Sequence, residues 1–390
     1  MNLGVTGLAA VRALGRRGIP VFGVATPDAV GLGSRYVQRL AGPASPDETL
    51  VLPHYLGLAR RLGRVAVLVP TSDPDVLFVS RHRKVLAEQF AFHVAEPELL
   101  EAVASKRQMV ALAKRCRLPV PTTVLPETRW DLERAIPQLR FPCVIKPEFT
   151  RLWRTADAET AGLAEKKAIP IVDATTLLAQ YDAIAAVDPR VVVQEMVIGP
   201  DENHLDYHAL VDREGRVSAE FAGRKLRVAP AYFGSGSYVE SIRSGEVIEA
   251  GRLVLERLGY QGMANLNFKR DARDGRLYLL EVNPRFSLWT SLDVACGVDF
   301  PYYYYRAALG QNFSAPTSYP AGRRWLNPLT DFRAMRVYAR DGSWSWSRWL
   351  RSLTGVSTNA VFTWDDPLPG VELLTRSLAA RGRPARTEAT

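Results

Sequence analysis

Glu281-Val-Asn283-Pro-Arg285 follows the apolar run Leu277-Tyr-Leu-Leu280 and sets a carboxylate and an amide oxygen two residues apart. Successive strand side chains alternate faces, so Glu281 and Asn283 share one face while Leu280 and Val282 turn into packing. Hard oxygen donors of this kind, completed by water and phosphate oxygens, are what Mg²⁺ takes. The preceding run Met263-Ala-Asn265-Leu-Asn267-Phe-Lys269 is joined to it by Asp271-Ala-Arg-Asp274-Gly275-Arg276, a hairpin connection. A hairpin symmetric about Asp274 pairs Asn267 with Glu281 and Asn265 with Asn283, whereas a two-residue Asp274-Gly275 turn would put Asn267 opposite Val282. The first register groups the polar atoms, which favours an odd-length loop with Gly275 in the left-handed region. A plain hairpin ending in Glu and Asn would look the same, so the motif alone leaves both readings open.

Groups that could meet phosphates lie upstream. Lys106 falls in an expected helix over 99–117, and Lys146 ends a short strand over 141–147 whose partner is expected over 166–172. An ammonium is a compact point charge suited to phosphate oxygens. A solvated helix face would explain Lys106 equally well; a strand-end lysine before Pro147 is harder to explain that way. Residues 188–200 form the strongest strand pattern, apolar on both faces and broken by Gly199-Pro200. Lys225 and Arg227 share a strand face by the period of two, facing either an anion or solvent.

Positioning these groups needs an α/β scaffold. Residues 5–17 carry helical apolar spacing, 20–24 a short strand, and 63–70 a buried strand feeding Thr71-Ser72-Asp73, where open α/β sheets place ligands. Gly4-Val-Thr-Gly7 stands where a doubly wound domain has its first strand-to-helix turn, yet only Met1-Asn2-Leu3 precedes it. The first strand is therefore expected to be missing: the chain starts late, or the sheet lacks an edge. The same gap argues against dinucleotide binding, as does the lack of an acidic residue closing the next strand. A glycine loop over 233–237 and a helix over 246–258 precede the hairpin. From about Tyr319 five of the eight tryptophans cluster, which suggests an appendage anchored through its rings, or a cover over substrate.

At 390 residues the chain is long enough for two or three domains. Lys and Arg outnumber Asp and Glu 50 to 41, a formal charge of +9 that suits anionic ligands, nucleotides or nucleic acid. The basic residues form no block and do not interleave with aromatics, so small-molecule phosphate chemistry accounts for the charge at least as well. Cys116, Cys143 and Cys296 have neither disulfide nor metal spacing, which suggests reduced thiols and a cytoplasmic setting. No targeting leader or membrane-spanning run is evident.

In their order over residues 106–285 these pieces resemble the ATP-grasp superfamily, nearest to its predicted ATP-dependent carboxylate-amine ligases, the D-aspartate ligase-like group. The resemblance rests on Ser105-Lys-Arg-Gln108, Val144-Ile-Lys-Pro147, Gln194-Glu-Met-Val-Ile-Gly-Pro200, Gly223-Arg-Lys-Leu-Arg227 and Glu281-Val-Asn-Pro-Arg285. Asp365-Asp-Pro-Leu-Pro369 looks like that group's tail. The fold implied is α/β, α+β in its ATP-binding part. It comprises a doubly wound parallel N-terminal domain lacking its first strand (1–103), a central subdomain (104–192), a C-terminal ATP-grasp subdomain with the metal site (193–315), and the Trp-rich appendage (316–390).

The resemblance also implies roles. Lys106 and Lys146 would donate to nucleotide phosphates, Glu195, Met196 and Val197 would form the adenine hinge, and Glu202 would bind ribose, with Asp201 as a one-residue alternative. Glu281 and Asn283 would hold Mg²⁺, or Mn²⁺ in its place. Lys225, Arg227 and Arg285 would stabilise the acyl phosphate or its adduct. The first metal position, usually a glutamate in that group, is Asn267 here, which implies weaker or single-metal binding. The loop after Lys146 lacks a glycine-rich run, so Trp153 and Arg154 are expected to serve over the phosphates. The implied activity is ADP-forming amide ligation of a small carboxylate and amine, with an amino acid or peptide-like acid as substrate, a homodimer as a possible assembly, and no nucleic-acid or membrane partner. A non-catalytic ATP-binding protein is the alternative suggested by Asn267, and a nucleic-acid binder one suggested only by the charge.

Overall fold

The computed structural model describes residues 1–381, apart from positions 25, 27, 44, 46, 149–152, 154–158, 160–161, 164–167 and 189. Arg154 and part of the partner segment expected over 166–172 lie outside the described residues.

The N-terminal part alternates helices with short parallel strands. α1 (Val5–Gly15) leads into β1 (Val21–Val24), which pairs in parallel with β2 (Val37–Leu40). α2 (Glu48–Leu62) starts on Asp47, whose carboxylate accepts from the Thr49 N–H, and stops at Gly63, where φ is +62°. β3 (Ala66–Val67) pairs in parallel with β4 (Phe90–Ala91), and α3 (Asp73–Arg81) and α4 (Arg83–Leu86) run between them. Ser72 and Asp75 close a capping box on α3. The strand expected over 63–70 is thus only two residues wide, and there are two separate two-stranded sheets rather than one.

α5 (Pro97–Ala104) and α6 (Lys106–Arg115) replace the single helix expected over 99–117. The break is at Ser105, whose backbone is extended and whose hydroxyl accepts from the Gln108 N–H. Apolar periodicity runs through both segments; a side chain able to start a new helix interrupts it.

The central part is an antiparallel sheet in the order β5 (Thr123–Val124), β8 (Val191–Glu195), β6 (Cys143–Pro147), β7 (Ile169–Ile171). α7 (Arg129–Ala135) and α8 (Ala174–Ala185) accompany it. Its core gathers Cys143, Ile145, Trp153, Ile171, Leu177, Val191 and Val193. Trp153, expected over the phosphates, is instead buried in this core.

The C-terminal part is a seven-stranded sheet in the order β13 (Leu277–Asn283), β12 (Gly262–Arg270), β9 (His204–Val211), β10 (Val217–Ala229), β11 (Ser235–Ser241), β14 (Arg324–Leu326), β15 (Val356–Asn359). α9 (Gly245–Leu258) packs against β9, with Gly251 set so close to the Tyr207 ring that a Cβ there would lie 2.2 Å from it. α10 (Thr290–Ala295) and α11 (Phe300–Ala308) carry the second apolar cluster around Trp289 and Phe221. The Trp-rich segment does not merely lie on this body: it contributes β14 and β15, and α12 (Pro328–Arg340) and α13 (Trp346–Leu353) connect them. α14 (Leu368–Arg381) ends the described chain.

The segment before α14 returns to the start. Arg12 of α1 is buried, with Nε 2.9 Å from Asp366 Oδ2 and an NH2 group 2.8 Å from the Val361 carbonyl. The Ser34 hydroxyl and the Arg35 N–H also donate to Asp366, and Arg16 pairs with both oxygens of Asp365.

Candidate active site

The β12–β13 hairpin takes the grouped register: Asn267 opposite Glu281 and Asn265 opposite Asn283. Gly275 has φ of +70°, as expected. The loop, however, is the six residues 271–276, even rather than odd. Register is recovered because Leu280 is an extra residue on β13, a bulge between the Asn267–Glu281 and Phe268–Leu279 pairs. Glu281 is exposed and Asn283 buried.

The polar face continues across the sheet. Asn267 is the cross-strand partner of Asp206 on β9, and both meet Lys225 of β10, whose Nζ is 3.1 Å from Asn267 Oδ1 and 3.1 Å from Asp206 Oδ1. Asn267 Nδ2 donates to Asn265 Oδ1 at 2.9 Å, and Asn283 Nδ2 to Glu281 Oε2 at 3.3 Å. Asp206 and Lys225 are buried together; burial raises the Asp206 pKa, opposed by the Lys225 charge. His204, on the same β9 face, is held well below its ordinary pKa by burial and then by Lys225 and Lys269, so its ring is neutral. Asp206, Lys269 and His204 were not singled out from sequence. The period-two polar pattern His204-Leu-Asp206-Tyr-His208 carried the signal.

Two lysines approach from the central part. Lys146 ends β6 and donates to Gln194 Oε1 on β8 at 2.8 Å. Its pKa is pushed down to about 8, first by burial and then by Lys106, against the pull of Glu281. Lys106, at the first position of α6, donates to the Glu148 carbonyl at 3.2 Å. Lys146 therefore feels the charges of both Lys106 on α6 and Glu281 on the large sheet.

At the cleft's edge the chain passes from β8 into the expected hinge. The N–H groups of Glu195 and Met196 go to the carbonyls of Thr122 and Pro142, and the Met196 carbonyl accepts from Arg273 at 2.9 Å. Glu195 Oε1 accepts from the Arg140 N–H at 2.7 Å. Among the described residues no hydrogen bond takes up the backbone of buried Val197. Asp201 is engaged by the Tyr338 hydroxyl of α12, whereas Glu202 lies 4.0 Å from Arg348 and stays partly open.

Two of the expected charge stabilisers are placed differently. Arg285 reaches Asn283 Oδ1 at 3.3 Å, but its Nε and an NH2 group also clasp Asp73 at the N-terminus of α3, at 2.7 and 3.2 Å. Arg227 does not reach this face. It is fully buried, doubly bonded to Asp331 at 2.8 Å through Nε and NH2, and stacked between Tyr238 and Trp344. A register shift between Lys225 and Arg227 breaks the period of two that put them together.

The donor set fits one divalent cation. Glu281 and Asn283 supply a carboxylate and an amide oxygen on one face; Asn283 Oδ1 also accepts from Arg285 at 3.3 Å, as Asn267 Oδ1 does from the Lys225 ammonium at 3.1 Å. Among the described residues there is no group of three or more His, Cys, Asp or Glu that could hold a metal ion.

Comparison with known proteins agrees with this geometry. Residues 211–327 match the family described as ATP-grasp in the biosynthetic pathway with Ter operon. The D-aspartate ligase of Enterococcus faecium is 26% identical over 231 residues, which are 56% of this chain and 53% of that enzyme, so the chain spans about half its length. The biotin carboxylase domain of the Hydrogenobacter thermophilus 2-oxoglutarate carboxylase, solved with MgADP, superposes with a TM-score of 0.62 at 15% identity, covering 83% of this chain and 72% of that one. An L-amino acid ligase from Bacillus licheniformis gives a TM-score of 0.55 at 17% identity, covering 77% and 70%. The chain thus has the ATP-grasp fold, and the carboxylate-amine ligases are the group it resembles.

Proposed function

We propose that this protein is an ADP-forming carboxylate-amine ligase. The reading is carried by one observation: Lys146 of the small sheet feels the charges of both Lys106 of α6 and Glu281 of the large sheet, so a nucleotide polyphosphate among them would meet two lysines and a metal-binding carboxylate. The likeness to D-aspartate ligase supports it. Mg²⁺ would be held by Glu281 and Asn283, where it would neutralise phosphate charge. Val197 would meet the adenine edge and Glu202 the ribose. Lys106 and Lys146 would orient the phosphates, so that a substrate carboxylate attacks the γ-phosphorus in line, releasing ADP and forming an acyl phosphate. An amine then attacks the acyl carbon, phosphate leaves and an amide remains. Lys225, fixed by Asp206 and Asn267, and Arg285 supply positive charge where the adduct develops its negative charge. Such transfer needs positioning and charge rather than a protein nucleophile. The acid is proposed to be an amino acid or a small peptide-like acid.

A second reading, ATP binding without turnover, is favoured by the Lys225 ammonium on Asn267 Oδ1. Single-turnover release of ADP from MgATP, screened against amino acids in pairs, separates the two. ATP bound at stoichiometry with no ADP from any pair would sink the ligase reading.

A further inference from the structure

The α12–α13 pair carries a surface that the body of the protein leaves uncovered. α12 packs inward through Asp331, Ala334, Met335 and Tyr338, all buried. Its outer stripe is Phe332, Arg333, Arg336, Val337 and Arg340, spaced three and four residues apart and exposed. α13 places apolar residues at Trp346, Trp349, Leu350 and Leu353, the pattern of a helix that hides one face, yet none of its residues is buried. Leu350 is 59% exposed and Trp346 44%.

The two helices present one continuous face. The Phe332 ring lies 6.0 Å from that of Trp346 and 6.1 Å from that of Trp349. Arg333, Arg336, Arg340 and Arg351 are exposed and make no ion pair with any described residue, so the apolar strip is bordered by unpaired positive charge. The acids of the segment do not offset it. Asp331 is buried on Arg227, and Asp341 is taken up by the Tyr232 hydroxyl and the Ser343 N–H. Charge and shape together choose the occupant. A second copy would set like charge against like across a two-fold axis. Single-stranded nucleic acid needs free ring faces, but Trp346 and Trp349 stand edge to face at 87° and 5.7 Å, and Val337 and Leu350 have no ring to offer. A bilayer interface seats indole rings at headgroup level and aliphatic groups below them without a pocket of matching shape, while neighbouring arginines reach anionic headgroups.

We propose that the α12–α13 face docks on the surface of a bilayer that contains anionic phospholipid. Phe332, Val337, Trp346 and Leu350 enter the interface, and Arg333, Arg336 and Arg340 pair with headgroup phosphates. This departs from the expectation of no membrane partner. No helix among the described residues is long and apolar enough to cross a membrane, and a surface contact needs none. The inference is independent of the ligase reading.

The test uses the full chain with vesicles of phosphatidylcholine, alone or mixed with phosphatidylglycerol, read by sedimentation and by the tryptophan emission maximum. Binding is expected to be at least ~10-fold tighter to the mixed vesicles, to weaken at about 0.5 M salt, and to shift the emission to the blue. Trp346→Ser combined with Leu350→Ser should weaken it ~10-fold or more, with Tm kept because both side chains are exposed. Arg333→Gln, Arg336→Gln and Arg340→Gln together should abolish the preference for the mixed vesicles. If the first variant loses stability, the arginine variant decides alone. No binding to either vesicle would overturn the proposal, as would binding that neither variant weakens. So would single-stranded DNA bound more tightly than the mixed vesicles, which would make nucleic acid the occupant. A dimer that the Trp346→Ser, Leu350→Ser variant dissociates would overturn it as well, making a second copy the occupant.

Discussion

Glu281 and Lys146 carry opposite duties across one cleft, and each predicts its own defect. Glu281→Gln keeps an oxygen but removes the exposed carboxylate beside Asn283, so ADP formation should fall by ~10²-fold or more in single turnover, with thermal stability unchanged because the side chain is exposed. Lys146 has its pKa lowered to about 8, so it is charged below that pH and loses its charge as pH rises through it. The kcat/KM for MgATP should therefore decline above about pH 8. Lys146→Arg should move that decline upward, since a guanidinium stays charged; an unmoved profile would assign the decline to another group. At this scale much was legible. Strand alternation set Glu281 with Asn283, and the grouping of polar atoms chose the register that opposes them to Asn267 and Asn265, although a bulge at Leu280 rather than an odd-length loop produces it. It failed at Arg227, because a bulge inserts a residue that no periodicity announces, and because Asp331 stands 104 residues away.

Elements explain what single residues could not. The α12–α13 segment was recognisable by its tryptophans, yet its strands were not, since β14 and β15 are three and four residues long and their pairing is with distant chain. Arg227 is the pin of that segment: Asp331 accepts from it, from Ser237 Oγ and from Trp349 Nε1, all within 2.9 Å. Arg227→Met should cost about 3–5 kcal/mol in denaturant unfolding, because it strands a buried carboxylate. Lys225→Met, two residues earlier, should lower stability as well as turnover, because it strands the buried Asp206 carboxylate. The hairpin loop has its own brace. Asp271 is buried, accepts from Arg273 at 2.9 Å, and is held down to about 2 by it. Its stabilising effect is present above its ordinary pKa and lost as pH falls towards 2. Asp271→Asn should thus cost about 2 kcal/mol near neutrality, a difference that shrinks in acid; a constant difference down to pH 2 would refute the ion pair as its source. The break at Ser105 shows the limit of helical periodicity, which continues across a residue that restarts the helix through its own hydroxyl.

For the whole molecule, the order of motifs along the chain told more than any one of them. The ATP-grasp architecture could be read because lysines, hinge and hairpin come in sequence on segments of the right type; the sheet order β13-β12-β9-β10-β11-β14-β15 could not, since it depends on pairings between segments far apart. Two contacts tie the parts together. Arg285 clasps Asp73 of the N-terminal part, so Asp73→Ala should raise the KM for the acid or amine more than that for ATP, about tenfold for a lost charged bond. The other is the Asp365–Asp366 clasp on Arg12, Arg16, Ser34 and Arg35. Arg12 is buried in α1, but its carboxylate partner comes 354 residues later. During synthesis this interior guanidinium is thus without its carboxylate until the segment carrying Asp366 has emerged from the ribosome, so the native packing of α1 waits for a distant part of the chain.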